Sequence, residues 1–430
     1  MKKIDEAFLH FLWKNQFLAG IDLSAPGGEK IEVKDPGIHN HDAGPDFFNA
    51  RVLINDTLWV GNVELHINAS DWFRHGHKTD PSYDSVILHV VYFNDSEVTR
   101  SSGERIPVAV LRFPTLLWDR YKGLKQADTW IPCQDKLADL PPVHVAQWLS
   151  ALMVEKLKER TEYLQRNMED VNRHWDAIFS RIIFRSFGLP VNTTPFEILS
   201  LVTPYNLLLR NRQSTFTLEA LLFGMSGLLN TTIANDKYTE SLKNEFSRFS
   251  GKIEQAPVPY QSWKFLRMRP SAFPTIRIAQ LAAFIQARYP PNNMLSSLPS
   301  PEKIYELCSV KASDYWNTHY HGGKESKSKE KRVGRQFMHL LIINSIVPYA
   351  FFYGKSNSEN KFCDYAIDIL EQIPAENNGI IKKWSKFGIK PANAFESQAL
   401  LYLYKNYCMQ SRCLKCQFGN KMILHARTPK

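Results

Sequence analysis

Apolar and polar positions alternate with two different periods along the first hundred residues. Residues 4–18 place Phe8, Leu9, Leu12 and Trp13 on one side of a 3.6-residue period, which predicts a helix. After a Gly/Pro loop, 30–34 alternates and stops at Pro36-Gly37, as a strand does. Two more strands are expected over 49–54 and 58–67, joined by a turn at Asn55-Asp56. Ser70 or Asp71 can cap one short helical turn before Gly76. Residues 85–93 form a nearly unbroken apolar run, the pattern of a strand covered on both faces. A last strand over 105–111 contains Pro107 and is expected at a sheet edge.

From Pro141-Pro142 onward the period becomes helical. Val145, Leu149, Leu152, Met153 and Leu157 share one face of a helix over 143–168. Further helices are predicted over 175–187, 195–210, 216–229, 238–250, 276–288, 301–309, 334–350, 363–373 and 393–408. Residues 322–332 are polar and low in complexity and read as a mobile loop. The fold class is therefore α+β, with a small N-terminal mixed sheet flanked by helix, then a large, mostly α-helical region. Three regions are expected: a catalytic α/β domain over 1–135, a helical domain over 140–320, and a helical region over 333–430 that ends in a Cys-rich knuckle.

Composition narrows the class. With 26 Phe, 17 Tyr and 10 Trp among 430 residues, the chain is not disordered. It has no run of eighteen apolar residues and no apolar leader, so a cytoplasmic protein without a membrane partner is expected. Six cysteines, three of them in the last 25 residues, do not form a disulfide framework. The net charge of +10 is uneven: residues 1–100 carry 9 Lys+Arg against 15 Asp+Glu, so all the excess positive charge lies downstream. An acidic segment rich in histidine, attached to a basic remainder, suits a cation site beside a polyanion-binding surface, and nucleic acid is the expected partner.

The chemistry concentrates in residues 39–89, which hold six of the thirteen histidines, His41 among them. Asp46 follows Gly44-Pro45 just before one strand. Glu64 lies in the next, with His66 on the same strand face. Two carboxylates on adjacent strands can hold Mg²⁺ or Mn²⁺, and His66 would then orient or activate a bound water. Glu6 would join them if the first helix crosses the sheet. Against this, Asp46 could be a turn carboxylate and Glu64 an exposed strand residue. A second arrangement uses His75 and His77, with His66 or His89, as a three-histidine site for Zn²⁺, Mn²⁺ or Fe²⁺. Its competing reading makes His89 a core residue and places His75 and His77 on an exposed loop.

The helix with Glu6, a strand, Gly44-Pro45-Asp46 and Val63-Glu64-Leu65-His66 resemble the start of the restriction-endonuclease-like PD-(D/E)XK nuclease superfamily over residues 4–93. That resemblance implies a nuclease with Asp46 and Glu64 as metal ligands. His66 stands where the superfamily has Lys, and the connection from Ile67 to Asp84 is short for its usual long helix. At whole-chain level the sequence is similar to a bacterial family recorded only as a domain of unknown function. The shared stretches are 44–47, 61–66, 70–72, 75–77, 86–91, 263–270 and the terminal cysteines, and they imply no activity.

Two further groups stand apart. Cys408, Cys413 and Cys416 have the spacing of a metal knuckle. Cys363 or His425 is a fourth ligand, with Cys308 and Cys133 more distant choices. Zn²⁺ suits such a set, and the superfamily resemblance implies an iron–sulfur cluster as the other option. In Trp263, Lys264, Arg267 and Arg269, together with Arg277, basic and aromatic residues interleave in a pattern suited to base stacking and phosphate pairing. Its competing reading is a helix entry whose aromatics belong to the core. Three functional readings result: a metal-dependent phosphodiesterase or nuclease acting on DNA or RNA, a non-catalytic nucleic-acid-binding scaffold with a decayed nuclease core, and a histidine-ligated metal hydrolase.

Overall fold

The computed structural model describes residues 4–15, 21–40, 42–170, 174–230, 236–295 and 297–424, so His41, His425 and part of the predicted first helix lie outside the described residues. The chain divides into two compact units where the pattern drew three regions. The first comprises Met1–Trp148, Lys386–Ile389 and Tyr402–Lys430, and the second Leu149–Ser385 and Lys390–Leu401.

In the first unit, helix α1 (Glu6–Lys14) is capped by Asp5, whose Oδ1 accepts the Phe8 amide at 3.0 Å. Its buried side is Phe8, Leu9, Phe11, Leu12 and Trp13. Seven strands follow: β1 (Asp22–Ser24), β2 (Ile31–Asp35), β3 (Ile38–His39), β4 (Phe47–Ile54), β5 (Thr57–Asn68), β6 (Val86–Phe93) and β7 (Val108–Arg112). They form one mixed sheet in the order β1-β7-β6-β5-β4-β2, with β3 paired to β4. β4 and β5 are an antiparallel hairpin whose turn sits at Asn55-Asp56, with Asn55 in the left-handed region at φ 52°. β5, β6 and β7 run parallel.

β7 is not an edge strand, since the short β1 pairs with it. Pro107 is tolerated because it precedes the strand, where its carbonyl accepts the His89 amide at 2.9 Å. Between β5 and β6 the chain makes a single-turn helix, α2 (Asp71–Arg74), and two 3₁₀ turns, His77–Thr79 and Pro81–Tyr83. This connection is held by Trp72, which is fully buried with Val86, Val98 and Ile106. After β7, helix α3 (Thr115–Lys125) brings Trp118 and Tyr121 to within 5.2 and 5.1 Å, ring to ring, of Phe8. Burying one such ring contributes about 1.5–3 kcal/mol, so α1 is fastened to the unit by aromatic packing.

One irregularity positions the site. Phe47 pairs with Val63 but Ala50 with Gly61, so β4 carries one extra residue. Asn49 takes φ 56° there, and its amide goes to Asn62 Oδ1 at 3.2 Å. A bulge of this kind re-aims neighbouring side chains, and here its neighbours are Asp46 and Glu64.

The second unit is helical. The predicted helix over 195–210 is two, Thr193–Val202 and Tyr205–Arg210, because Pro204 has no amide to continue the first. The helix Arg335–Ser356 is long and apolar enough to cross a membrane, yet most of it is buried within the protein. Pro348 is accommodated by a π turn over Ile342–Ile346. Residues 322–332 are not a freely solvated loop: Lys331 is buried, and its Nζ donates to the carbonyls of Asn317 and Lys329.

Candidate functional site

Side chains at Glu64 and His66 share one face of β5, and the parallel register sets His89 beside Glu64 on that face. All three are buried, so Glu64 is not the exposed strand residue that the sequence allowed. Asp46, one residue before β4, meets them from the bulged side. The two carboxylates are tied together. They clasp through the backbone: the Asp46 amide donates to Glu64 Oε2 at 3.0 Å, and the Leu65 amide donates to Asp46 Oδ2 at 2.9 Å. Glu64 Oε1 is thereby left for other partners.

Those partners are imidazoles. His75 ends α2, and Gly76 then takes φ 79°, so the chain reverses before His77. The rings of His75 and His77 come to 4.8 and 5.2 Å from the His66 ring. One ring nitrogen from each of these three histidines lies within 4.8 Å of the others. His66 Nε2 is 3.1 Å from His75 Nδ1 and 3.5 Å from Glu64 Oε1, and His77 Nε2 is 3.2 Å from Glu64 Oε1. Ligands bound at about 2.0–2.1 Å to one ion sit roughly 3.0–3.4 Å apart, so these separations suit a shared cation. His77 Nε2 is buried and, despite that 3.2 Å, is not aligned for a hydrogen bond.

Behind the trio, His66 Nδ1 is 2.8 Å from His89 Nε2, which fixes the ring and leaves Nε2 to face the cluster. Burial, reinforced by the neighbouring imidazoles, holds His66 down to about 2 and His89 down to about 3, so both are neutral at physiological pH. Burial also raises Glu64, against the lowering effect of His77. Tyr83 stacks on His77 at 3.7 Å, and Trp72 lies edge-on at 5.4 Å.

Glu6 lies near enough for His10, Asp46 and His75 to act on it, but burial dominates and raises its pKa. His10 is a member that the sequence analysis missed. Its Nε2 is 3.2 Å from Asp46 Oδ2. Burial lowers its basicity, but Asp46, Glu6 and Glu64 together outweigh burial and the net shift is upward. Its signal in the sequence was the four-residue spacing from Glu6 on one helix. The two arrangements that the sequence set in competition are thus one constellation.

Residues 6–379 match the family described as protein of unknown function (DUF2851). The chain belongs to this family. No curated protein and no solved structure matches the chain. For a DUF2851 member, then, the chemistry has to be argued from the side chains themselves.

The other candidates fall elsewhere. Trp263 is buried, with its indole donating to the Ser226 carbonyl at 2.8 Å, so it is a core residue and not a stacking platform. Lys264, Arg267 and Arg269 are exposed. Arg277 lies over the Phe337 ring at 3.3 Å, half-buried in the second unit. Cys363 belongs to the second unit, where its thiol donates to the Phe351 carbonyl at 3.7 Å, and the terminal cysteines belong to the first. Cys133 lies in the same unit as Cys408, Cys413 and Cys416, near enough for their charges to act on one another. Its thiol is raised by burial and then by Cys416 and Cys413, and it in turn acts on Cys408. Cys416 receives the amides of Gly419 and Phe418 and faces the indole of Trp148, whose buried N–H has no nitrogen or oxygen partner.

Proposed function

We propose that the chain is a metal-dependent hydrolase, with His66, His75, His77 and Glu64 holding a divalent transition ion, and that its substrate is a phosphodiester of DNA or RNA. The observation that carries this reading is the convergence of ring nitrogens from His66, His75 and His77 within 4.8 Å of one another, with the buried Nε2 of His77 beside Glu64 Oε1. Three imidazoles and one carboxylate favour Zn²⁺, Mn²⁺ or Fe²⁺ over Mg²⁺. When bound, such an ion polarises a phosphoryl oxygen and lowers the pKa of a water.

The chain's own residues supply the rest. Asp46 braces Glu64 and does not coordinate. His10, whose proton Asp46 helps to hold, is placed to pass a proton to a leaving oxygen. A nucleic-acid substrate is supported by the excess of Lys and Arg beyond residue 100. It also rests on the nuclease resemblance of residues 4–93, in which Asp46 and Glu64 come from adjoining strands.

The test is to purify the protein without chelators, measure bound metal by mass spectrometry, and incubate it with a mixed pool of DNA and RNA. Near-stoichiometric transition metal and cleavage, both lost in a His75→Ala/His77→Ala variant, support the reading. Metal without cleavage of any nucleic acid would retain the centre and reject the substrate. Tight binding of the pool without metal or cleavage would favour the scaffold instead.

We further propose that Cys133, Cys408, Cys413 and Cys416 hold Zn²⁺ or an iron–sulfur cluster. The unpartnered Trp148 indole directed at Cys416 supports this, because a thiolate would satisfy that buried donor.

A further inference from the structure

The second unit contains a cavity of about 510 Å³ whose lining includes five cationic side chains, Arg277, Lys329, Lys331, Arg332 and Arg335, and a single carboxylate, Glu330. Glu330 is already engaged, since Arg332 Nε donates to its Oε1 at 2.9 Å and Lys311 lies 3.9 Å from its Oε2. Among the described residues the inner cations, Arg277 and Lys331, have no anionic counterpart. Arg277 gives one N–H to Gln280 Oε1 at 2.8 Å, but its buried Nε has no partner, and no carboxylate offsets the burial that holds it down to about 9. It remains charged at neutral pH. Lys331 is buried and satisfied only by two backbone carbonyls, with Tyr320 at 4.0 Å beneath it.

A buried charge without a counter-ion is destabilising, and removing it is commonly neutral or favourable. Here two such charges are held in place. Gln280 accepts from Arg277 and donates to the Lys331 carbonyl at 3.1 Å, and Phe337 supports the guanidinium from below at 3.3 Å. The planar fork of Arg277, with an unused N–H, matches the oxygens of a tetrahedral anion. The volume falls within the range of small-molecule sites.

We propose that this cavity binds a phosphate monoester or polyphosphate, with Arg277 and Lys331 as its inner contacts and Arg335 at its exposed rim. The proposal stands apart from the metal centre, so failure of either leaves the other intact.

The experiment measures thermal unfolding of the full chain in inorganic phosphate, in ADP, and with an oligonucleotide with or without a 5′-phosphate. Sodium chloride at matched ionic strength is the control. A phosphate-specific rise of roughly 3–5 °C at 100 times the Kd is expected. Which of the three probes binds most tightly identifies the source of the phosphate. Arg277→Met should raise the unfolding temperature without ligand and weaken phosphate binding at least tenfold. Should that variant not fold, Arg335→Ala should still weaken binding several-fold. A response no larger than that to chloride, or one undiminished in the folded variants, overturns the proposal.

Discussion

Asp46 and Glu64 hold each other through the backbone: Asp46's own amide donates to Glu64 Oε2 at 3.0 Å, and the amide of Leu65, next to Glu64, donates to Asp46 Oδ2 at 2.9 Å. The clasp spends one oxygen of each carboxylate on the backbone. It leaves Glu64 Oε1 beside His66 and His77, at 3.5 and 3.2 Å, and under the proposed centre Asp46 is a positioning residue.

Asp46→Ala is therefore expected to leave the Leu65 amide and His10 without their acceptor, at about 1–3 kcal/mol, and to weaken metal binding about 10- to 100-fold. Asp46→Asn keeps an acceptor and should retain most of the affinity. Chelator competition measures both. Equal, near-complete loss in the two variants would make Asp46 a ligand instead.

Gly76 occupies the left-handed region at φ 79° with nothing within 4 Å of where a Cβ would lie. Any penalty for Gly76→Ala is thus conformational, about 1–2 kcal/mol, and it falls on the turn that sets His75 against His77. Reduced metal occupancy with a modest loss of stability is expected, and Gly76→Asn should be milder. Unfolding curves and metal content together read this out, and an Ala variant with unchanged occupancy would count against the turn's role.

Acid should destabilise the metal-free protein. His66 and His89 take up protons near pH 6.5 when unfolded, but only near 2 and 3 when folded. Between those values the unfolded chain holds more protons, so stability falls as pH drops below about 6.5, by up to about 1.4 kcal/mol per unit for each histidine. Glu64, Glu6 and His10 are all shifted upward and oppose this trend. Urea unfolding between pH 4.5 and 7 should show the slope, and His89→Gln should remove about half of the histidine contribution. An unaltered slope in that variant would reject the assignment.

Cys133→Ser should release metal or cluster from the terminal cysteines, whereas Cys363→Ser should leave it in place, as mass spectrometry and visible absorption can show. The opposite pattern would restore Cys363 as the ligand.

How much was legible in the sequence differs from element to element. The strands over 47–54, 57–68 and 86–93 announced themselves because their apolar runs are long. α3 and the helix Gln417–Leu424 did not: α3 mixes charged residues into a weak stripe, and the second is only eight residues long. Glu64, His66, His75 and His77 were all candidates. What sequence reading separated was joined by two non-local facts, the parallel pairing of β5 with β6 and the reversal at Gly76. Cys133 was ranked behind Cys363 because proximity along the chain was the only available guide.

The extra residue in β4 has one more consequence. Side chains in a strand alternate between faces, so slipping β4 against β5 by one position would undo the clasp and turn its members away from each other. With Asn49 held in its left-handed conformation opposite Asn62, the correct pairing is marked at the very place where the imidazoles gather. A misregistered hairpin would have no means of assembling the ligand set, so bound metal would act as a reporter that the sheet has closed in its native alignment.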